Sequence, residues 1–201
     1  WLDVDWIRDC ENPRYAGGLA CHEVDHRAVP AAGPSHEWVQ GFLDYYHLTG
    51  EREGLDAAVS IGNNIARYLE DGVFSKPGTY QMRELGWGLV ALAAIFEETG
   101  DERYRKAGRE AVRLIREWRD TFGGLVEVQR FVEDPDDTDE PLMPLASYRD
   151  SFHAITLNGL QRFHRVTGEE DVLELFLDQV KAQLDWFNSP EGWAEQRETR
   201  Y

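Results

Sequence analysis

The sequence predicts an all-α fold of antiparallel helical hairpins, and three observations predict it. A Thr-Gly-acidic corner occurs three times, in YYHLTGEREGLDAA (45–58), FEETGDERYRKAG (96–108) and HRVTGEEDVLELF (164–176). Each corner is followed by an amphipathic stripe at helical spacing. Each is preceded by a run with apolar or small residues on more than one face, the pattern of a helix buried on several sides. Glycine just past a helical run supplies the left-handed C-cap, and the acidic residues then suit the positive end of the next helix. Each corner therefore joins two antiparallel helices.

Residues 1–34 read as a polar N-terminal segment, whose part CHEVDHRAVPAAGP is an approach loop. Ser35 follows as an N-cap, so the first inner helix is expected from about Ser35–Trp38 to Leu48. Its outer partner carries Leu55, Ala58, Val59, Gly62, Ile65, Ala66 and Leu69 at three-to-four residue spacing. The second inner helix, GWGLVALAAIF (Gly86–Phe96), is apolar nearly all round, and its partner shows Tyr104, Ala107, Ala111, Leu114, Ile115 and Trp118. The third pair is Phe152–Phe163 and a stripe of Val172, Leu175, Phe176, Val180, Leu184 and Phe187. The corner glycines Gly50, Gly100 and Gly168 are spaced by 50 and then 68 residues, which marks an insertion near 119–147. There GGLVEVQRFVEDPDDTDEPLMP has a β-like run and then an acidic, proline-bearing stretch, read as a short hairpin or ordered loop. Residues 35–187 thus form a three-hairpin region, one domain or part of a larger one, with 188–201 a C-terminal extension. Helical pairs repeating at this length point to a toroid or solenoid.

Composition narrows the class. A 201-residue chain that is 42% hydrophobic, with seven tryptophans, can bury a sizeable core. Thirty-eight acidic residues face 21 Lys and Arg, for a net charge of −17. Such a surface disfavours nucleic acid and anionic membranes, both of which bind cationic patches. No apolar run is long enough to span a bilayer. Only Lys76, Lys106 and Lys181 are lysines. An acidic, lysine-poor chain resembles proteins of salt-loving archaea; an arginine-favouring codon bias gives the same ratio. Cys10 and Cys21 are too few for a disulfide scaffold or a thiolate zinc cage, and either pairing or two free thiols is open. The chain opens on Trp1 rather than Met, as a processed or excised piece does, so localisation is not legible.

SHEWVQGFLDYYHLTGE followed by RELGWGLVALAAIFEETGDERY resembles the (α/α)-toroid enzymes of the six-hairpin glycosidase superfamily. The resemblance covers roughly residues 35–187 and is architectural. It implies glycoside hydrolase, polysaccharide lyase or sugar epimerase chemistry on carbohydrates. Three hairpins are half of such a ring, so further hairpins, another domain or a second subunit would complete it. In these toroids the substrate cleft lies where the inner helices begin. The resemblance therefore singles out His36 and Glu37 in the first, Gln81, Arg83, Glu84 and Trp87 in the second, and Tyr148, Arg149, Asp150 and His153 in the third.

Hydrolysis needs one protonated carboxyl for the leaving oxygen and one carboxylate as nucleophile or base. Glu37, Glu84 and Asp150 head three separate inner helices and can supply them, although acids also complement helix N-termini. A lyase would use His36, His153 or Tyr148 on the proton beside a uronate carboxylate held by Arg83 and Arg149. An epimerase would favour two histidines. The two arginines equally suit ion pairs with Glu84 and Asp150. Trp38 and Trp87 are candidate sugar platforms or core, whereas Trp1, Trp6, Trp118, Trp186 and Trp193 read as core. His47 and His164, at the corner ends, read as structural. His22, Asp25, His26 and His36 are ligand types a divalent metal accepts, but their spacing matches no strong signature. No cofactor is required, and a sugar-binding wall is the favoured role for the cluster. Catalytic candidates are thus His36, Glu37, Glu84, Asp150 and His153, in a glycosidic hydrolase ahead of a lyase, an epimerase or a non-catalytic glycan-binding domain.

Overall fold

A computed structural model describes residues 6–8, 12–22, 28–78, 80–125, 127–130, 144–147 and 150–188. The chain is mostly helical. Among the described residues the helices are α1 (Gln40–Thr49), α2 (Arg52–Glu70), α3 (Met82–Thr99), α4 (Glu102–Phe122), α5 (Asp150–Thr167) and α6 (Glu170–Phe187). They form three antiparallel hairpins, α1–α2, α3–α4 and α5–α6, each pair in contact.

The corners repeat one piece of chemistry. Thr49, Thr99 and Thr167 each donate a hydroxyl to the carbonyl four residues back, at 2.7, 2.7 and 2.8 Å. The same oxygens then accept the backbone N–H of Glu51, Asp101 and Glu169. Between them Gly50, Gly100 and Gly168 sit at φ +76°, +64° and +69°, a conformation that L side chains resist. The acidic residue is therefore placed where the next helix begins. Asp101 also caps with its side chain, accepting from Arg103 N–H at 2.9 Å, whereas Glu51 does not.

The inner helices α1, α3 and α5 run parallel. Trp38 meets Trp87 near the starts of the first two, and His47 Nε2 lies 2.9 Å from Glu98 near their ends. Arg83 lies over Phe152 at the start of α3 and α5, and Arg165 reaches Glu97 at 3.0 Å near their ends. Contact between α3 and α5 is backbone to backbone. A Cβ on Gly86 would stand 2.9 Å from Thr156 N and Cα, and one on Gly159 would stand 2.6 Å from Gly86 O. The fully buried Leu89, Leu92, Ile95, Ile61, Ile65, Leu114, Ile115 and Trp118 fill the space between inner and outer helices. Burying each such side chain contributes roughly 1.5–3 kcal/mol. The outer helix α4 is tied to its neighbours by Arg103–Glu70, Arg116–Asp171 and Arg119–Asp178 ion pairs.

The connections that run from outer to inner helices all arrive at the head end of the inner helices. Residues 71–81 join α2 to α3, braced by an aromatic chain from Tyr68 through Phe74 and Tyr80 to Trp118 and Phe122. The insertion holds a two-stranded antiparallel hairpin, β3 (Glu127–Arg130) with β4 (Pro144–Ser147), in the register Glu127↔Ser147. The N-terminal segment is not simply loop. It contains β1 (Ala20–His22) paired antiparallel with β2 (Ala28–Ala32). Trp118 is fully buried and Trp6 half-buried, while Trp1 and Trp193 lie outside the described residues.

One helix boundary departs from expectation. Ser35 does not cap α1, because Pro34–His36 form a separate 3-10 turn and α1 starts at Gln40 with Val39 as its N-cap. Proline suits the first position of such a turn. Both polar groups of Ser35 are bonded elsewhere, and Glu37 has non-helical backbone (φ −99°, ψ 72°), so the helix waits until residue 40.

The Gly86–Gly159 contact sets a test. Gly159→Ala should destabilise the protein by about 1–3 kcal/mol, since the new methyl overpacks against backbone. A lowered urea midpoint with an unchanged m-value checks it.

Candidate functional site

Between β2 and α1 the chain alternates inward and outward. Ser35, Glu37 and Val39 are buried, His36 is half-buried, and Trp38 is 48% exposed. The inward residues anchor the segment and the outward ones face solvent at the inner-helix heads. His36 stacks on Trp38 with ring centroids 6.1 Å apart, and Trp38 meets Trp87 of α3 edge-on at 5.7 Å. Aromatic pairs at this separation and angle are in their preferred range. The first turn of α3 supplies Glu84, whose Oε1 accepts the Ser35 hydroxyl at 2.6 Å and whose Oε2 accepts the Ser35 N–H at 3.0 Å. Next to it, Arg83 Nε lies 3.9 Å from Glu84 Oε1, and its guanidinium covers Phe152 of α5 at 5.0 Å. Gln81, the N-cap residue of α3, is exposed at the same end. His36, Trp38, Arg83, Glu84 and Trp87 therefore form one continuous surface.

Two expected members stand apart from it. Glu37 is fully buried and faces inward. Its Oε1 accepts the Leu19 N–H at 3.3 Å. Burial foremost, with Glu84 nearby, pushes its carboxyl well above the ordinary range, against the pull of that bond and of Arg67. A group so enclosed does not touch a substrate at the surface. His153 was expected beside Glu84 but packs against the backbone of Gln179 in α6, and burial draws its pKa down to about 4. Helical geometry explains the displacement: successive residues turn by about 100°, so with Phe152 under Arg83 the next side chain points toward the outer helix. Asp150 is the first residue of α5, which places its backbone at the same head end. The side chains of His22 and Asp150, and all of Asp25, His26, Tyr148 and Arg149, lie outside the described residues.

Sequence reasoning missed three contributors. Ser35 reads as a helix cap, Phe152 as the start of the third inner helix, and Asn64 is not singled out by the sequence pattern. Asn64 Nδ2 in fact donates to Arg14 O and Ala16 O at 2.8 and 3.1 Å, joining α2 to the N-terminal turn. A polar residue inside an apolar stripe was the available signal. His47 and His164 are engaged at the corners, the latter through Nδ1 at 3.0 Å from Glu169 O.

Among the described residues no group of three or more His, Cys, Asp or Glu is placed to hold a metal ion. No described helix is long and apolar enough to cross a membrane. A groove of about 740 Å³ lies away from the inner-helix heads, on the outer side of α4, with Lys106, Arg109, Arg113 and Arg116 along it. Arg109, Arg113 and Arg116 are ion-paired with Glu169, Glu110 and Asp171, so that groove is a salt-bridged seam. No family model, curated protein or solved structure matches the chain.

The two buried groups predict a stability optimum. His153 takes a proton more readily unfolded than folded, so stability falls as pH drops from about 6.5 toward 4. Glu37 holds its proton more tightly folded than unfolded, so stability falls as pH rises above the ordinary glutamate value of 4.5. Urea midpoints across pH should lose the acid limb in His153→Gln and flatten on the alkaline side in Glu37→Gln.

The Ser35–Glu84 clasp predicts a further loss. Ser35→Ala removes a bond to a charged group and should cost about 1.5–3 kcal/mol, read from the same midpoints.

Proposed function

We propose that the chain is a carbohydrate-active domain of the (α/α)-toroid type, and that the surface at the heads of α1, α3 and α5 receives an oligo- or polysaccharide. The observation that carries this reading is the exposed Trp38, held edge-on against Trp87 beside an oriented carboxylate and a guanidinium. Indole faces pack on sugar C–H groups, while carboxylate and guanidinium groups hydrogen-bond hydroxyls. Parallel inner helices with their long connections at one end support the toroid arrangement. In it, three hairpins form an arc that other hairpins or a partner would extend.

The reaction proposed is glycosidic hydrolysis by paired carboxylates. Glu84 at the head of α3 and Asp150 at the head of α5 are the two acids that adjacent parallel helices bring to one end. One gives its proton to the glycosidic oxygen as the C–O bond breaks. The other attacks the anomeric carbon or takes a proton from the water that does. Glu37 and His153 have no direct part, being enclosed.

A non-catalytic glycan-binding domain is the second reading. It is favoured by the same clasp, since both Glu84 oxygens already accept hydrogen bonds from Ser35.

Affinity and turnover measured on neutral and uronate-containing oligosaccharides separate these readings. Trp38→Ala and Trp87→Ala should each weaken binding about tenfold, the loss of one stacking contact of 0.5–1.5 kcal/mol at its upper end. Glu84→Gln should abolish turnover and leave binding for a hydrolase, whereas binding with no turnover in the unaltered protein supports the second reading. An ultraviolet-absorbing unsaturated uronate would identify a lyase. Binding to none of the panel would sink the carbohydrate reading.

A further inference from the structure

Two buried acceptor atoms stand without a hydrogen-bond partner behind the aromatic surface: Glu37 Oε2 and Asn64 Oδ1. Their side chains converge on the backbone of Gly18. The position a Cβ would take there lies 2.3 Å from Glu37 Oε1 and 3.2 Å from Asn64 Cγ. The orientation of the Asn64 amide is settled by its Nδ2, which donates to two carbonyls, so its other atom is an acceptor. Glu37 Oε1 is likewise settled as an acceptor by the Leu19 N–H. Buried polar groups of a folded protein are almost always paired, and an orphaned one is destabilising. Two orphaned acceptors whose side chains meet at Gly18 can satisfy each other only if one carries a hydrogen.

Arg67 does not remove the conflict. It lies on the same face of α2, its Nη2 donates to Ala16 O at 2.6 Å, and its buried Nε bonds neither acceptor. Glu84 of α3 adds negative charge on the other side, which makes a second ionised carboxyl there still more costly. The groups facing Glu37 are thus Asn64 and Arg67 from α2, Glu84 from α3 and the Leu19 N–H.

We propose that Glu37 is a neutral positioning residue, whose carboxylic O–H donates to Asn64 Oδ1 and so holds Trp38 in place against Trp87. The mechanism is the alternation of residues 35–39. Pinning Glu37 inward forces His36 and Trp38 outward, and joins the glycan-facing segment to α2 and the N-terminal turn in one latch. This extends the carbohydrate reading, on which its effect on ligand rests, but the latch itself does not require a glycan.

The test uses the whole chain. A Trp38–Trp87 pair at 5.7 Å gives an exciton-coupled circular dichroism signal, defined by its loss in Trp38→Phe. In Glu37→Gln the amide N–H replaces the acid O–H and the amide oxygen still accepts from Leu19. That variant should retain the signal and bind glycan within about twofold of the unaltered protein, whereas Glu37→Ala should lose the signal and bind about tenfold or more weakly. Should Glu37→Ala fail to fold, infrared spectroscopy of the unaltered protein decides. A protonated, hydrogen-bonded carboxyl band at neutral pH, moved by carbon-13 glutamate and absent in Glu37→Gln, is expected. Absence of that band, loss of the dichroic signal in Glu37→Gln, or its survival in Glu37→Ala would overturn the proposal. If the dichroic and infrared results hold and no glycan binds, the latch stands and the carbohydrate reading alone falls.

Discussion

Where α3 crosses α5 no side chain separates the two backbones, and the candidate surface depends on that contact. Gly86 and Gly159 let the helices approach until the carbonyl of one lies where a methyl of the other would be. Approach this close fixes the level of one helix against the other, as small residues do at tight helix crossings. Arg83 then falls over Phe152, and Glu84 and Asp150 begin their helices at one end. A bulkier crossing would move those heads apart. The hairpin corners place each outer helix, but the glycine contact aligns the inner ones.

The surface built on this frame uses acidic residues in two distinct ways. Glu84 lies at the solvent boundary with its carboxylate aimed by Ser35. Glu37, two residues beyond Ser35, is enclosed, burial pushes its carboxyl well above the ordinary range, and its contribution is packing and a hydrogen bond. Burying a charge without a close partner is so costly that the group gives up the charge instead. Across the rest of the molecule the net charge of −17 is managed differently, by arginines of α4 that bridge to α2 and α6. Exposed pairs of this kind are individually weak, about 0–1 kcal/mol, are screened by salt, and gain importance as a network at high temperature.

What was legible in the sequence was what is local. The Thr-Gly-acidic corners are read correctly because the threonine bonds that all three share span four residues or fewer. The outer stripes follow from the 3.6-residue period alone, and the insertion's hairpin from its β-rich run. The start of α1 was misread because it depends on a contact between Ser35 and Glu84, 49 residues apart, which no window contains. Glu37 looked like a first-turn acid for the same reason. His153 was one position out: helix periodicity was right, but which face meets α3 and which meets α6 is decided by Gly86 and Gly159 together. The aromatic surface was half visible, since tryptophan at a helix head fits core and ligand platform equally until exposure is known.

A carbohydrate role for this surface requires that the exposed Trp38 and its neighbour Trp87 meet a sugar. Titration of nitrogen-15-labelled protein with neutral and uronate-containing oligosaccharides, following the indole N–H signals, addresses it most directly. Saturable shifts of the Trp38 and Trp87 indoles and of the Arg83 side chain are expected, with the α4 groove unmoved. Shifts confined to that groove, or none with any glycan, would contradict it.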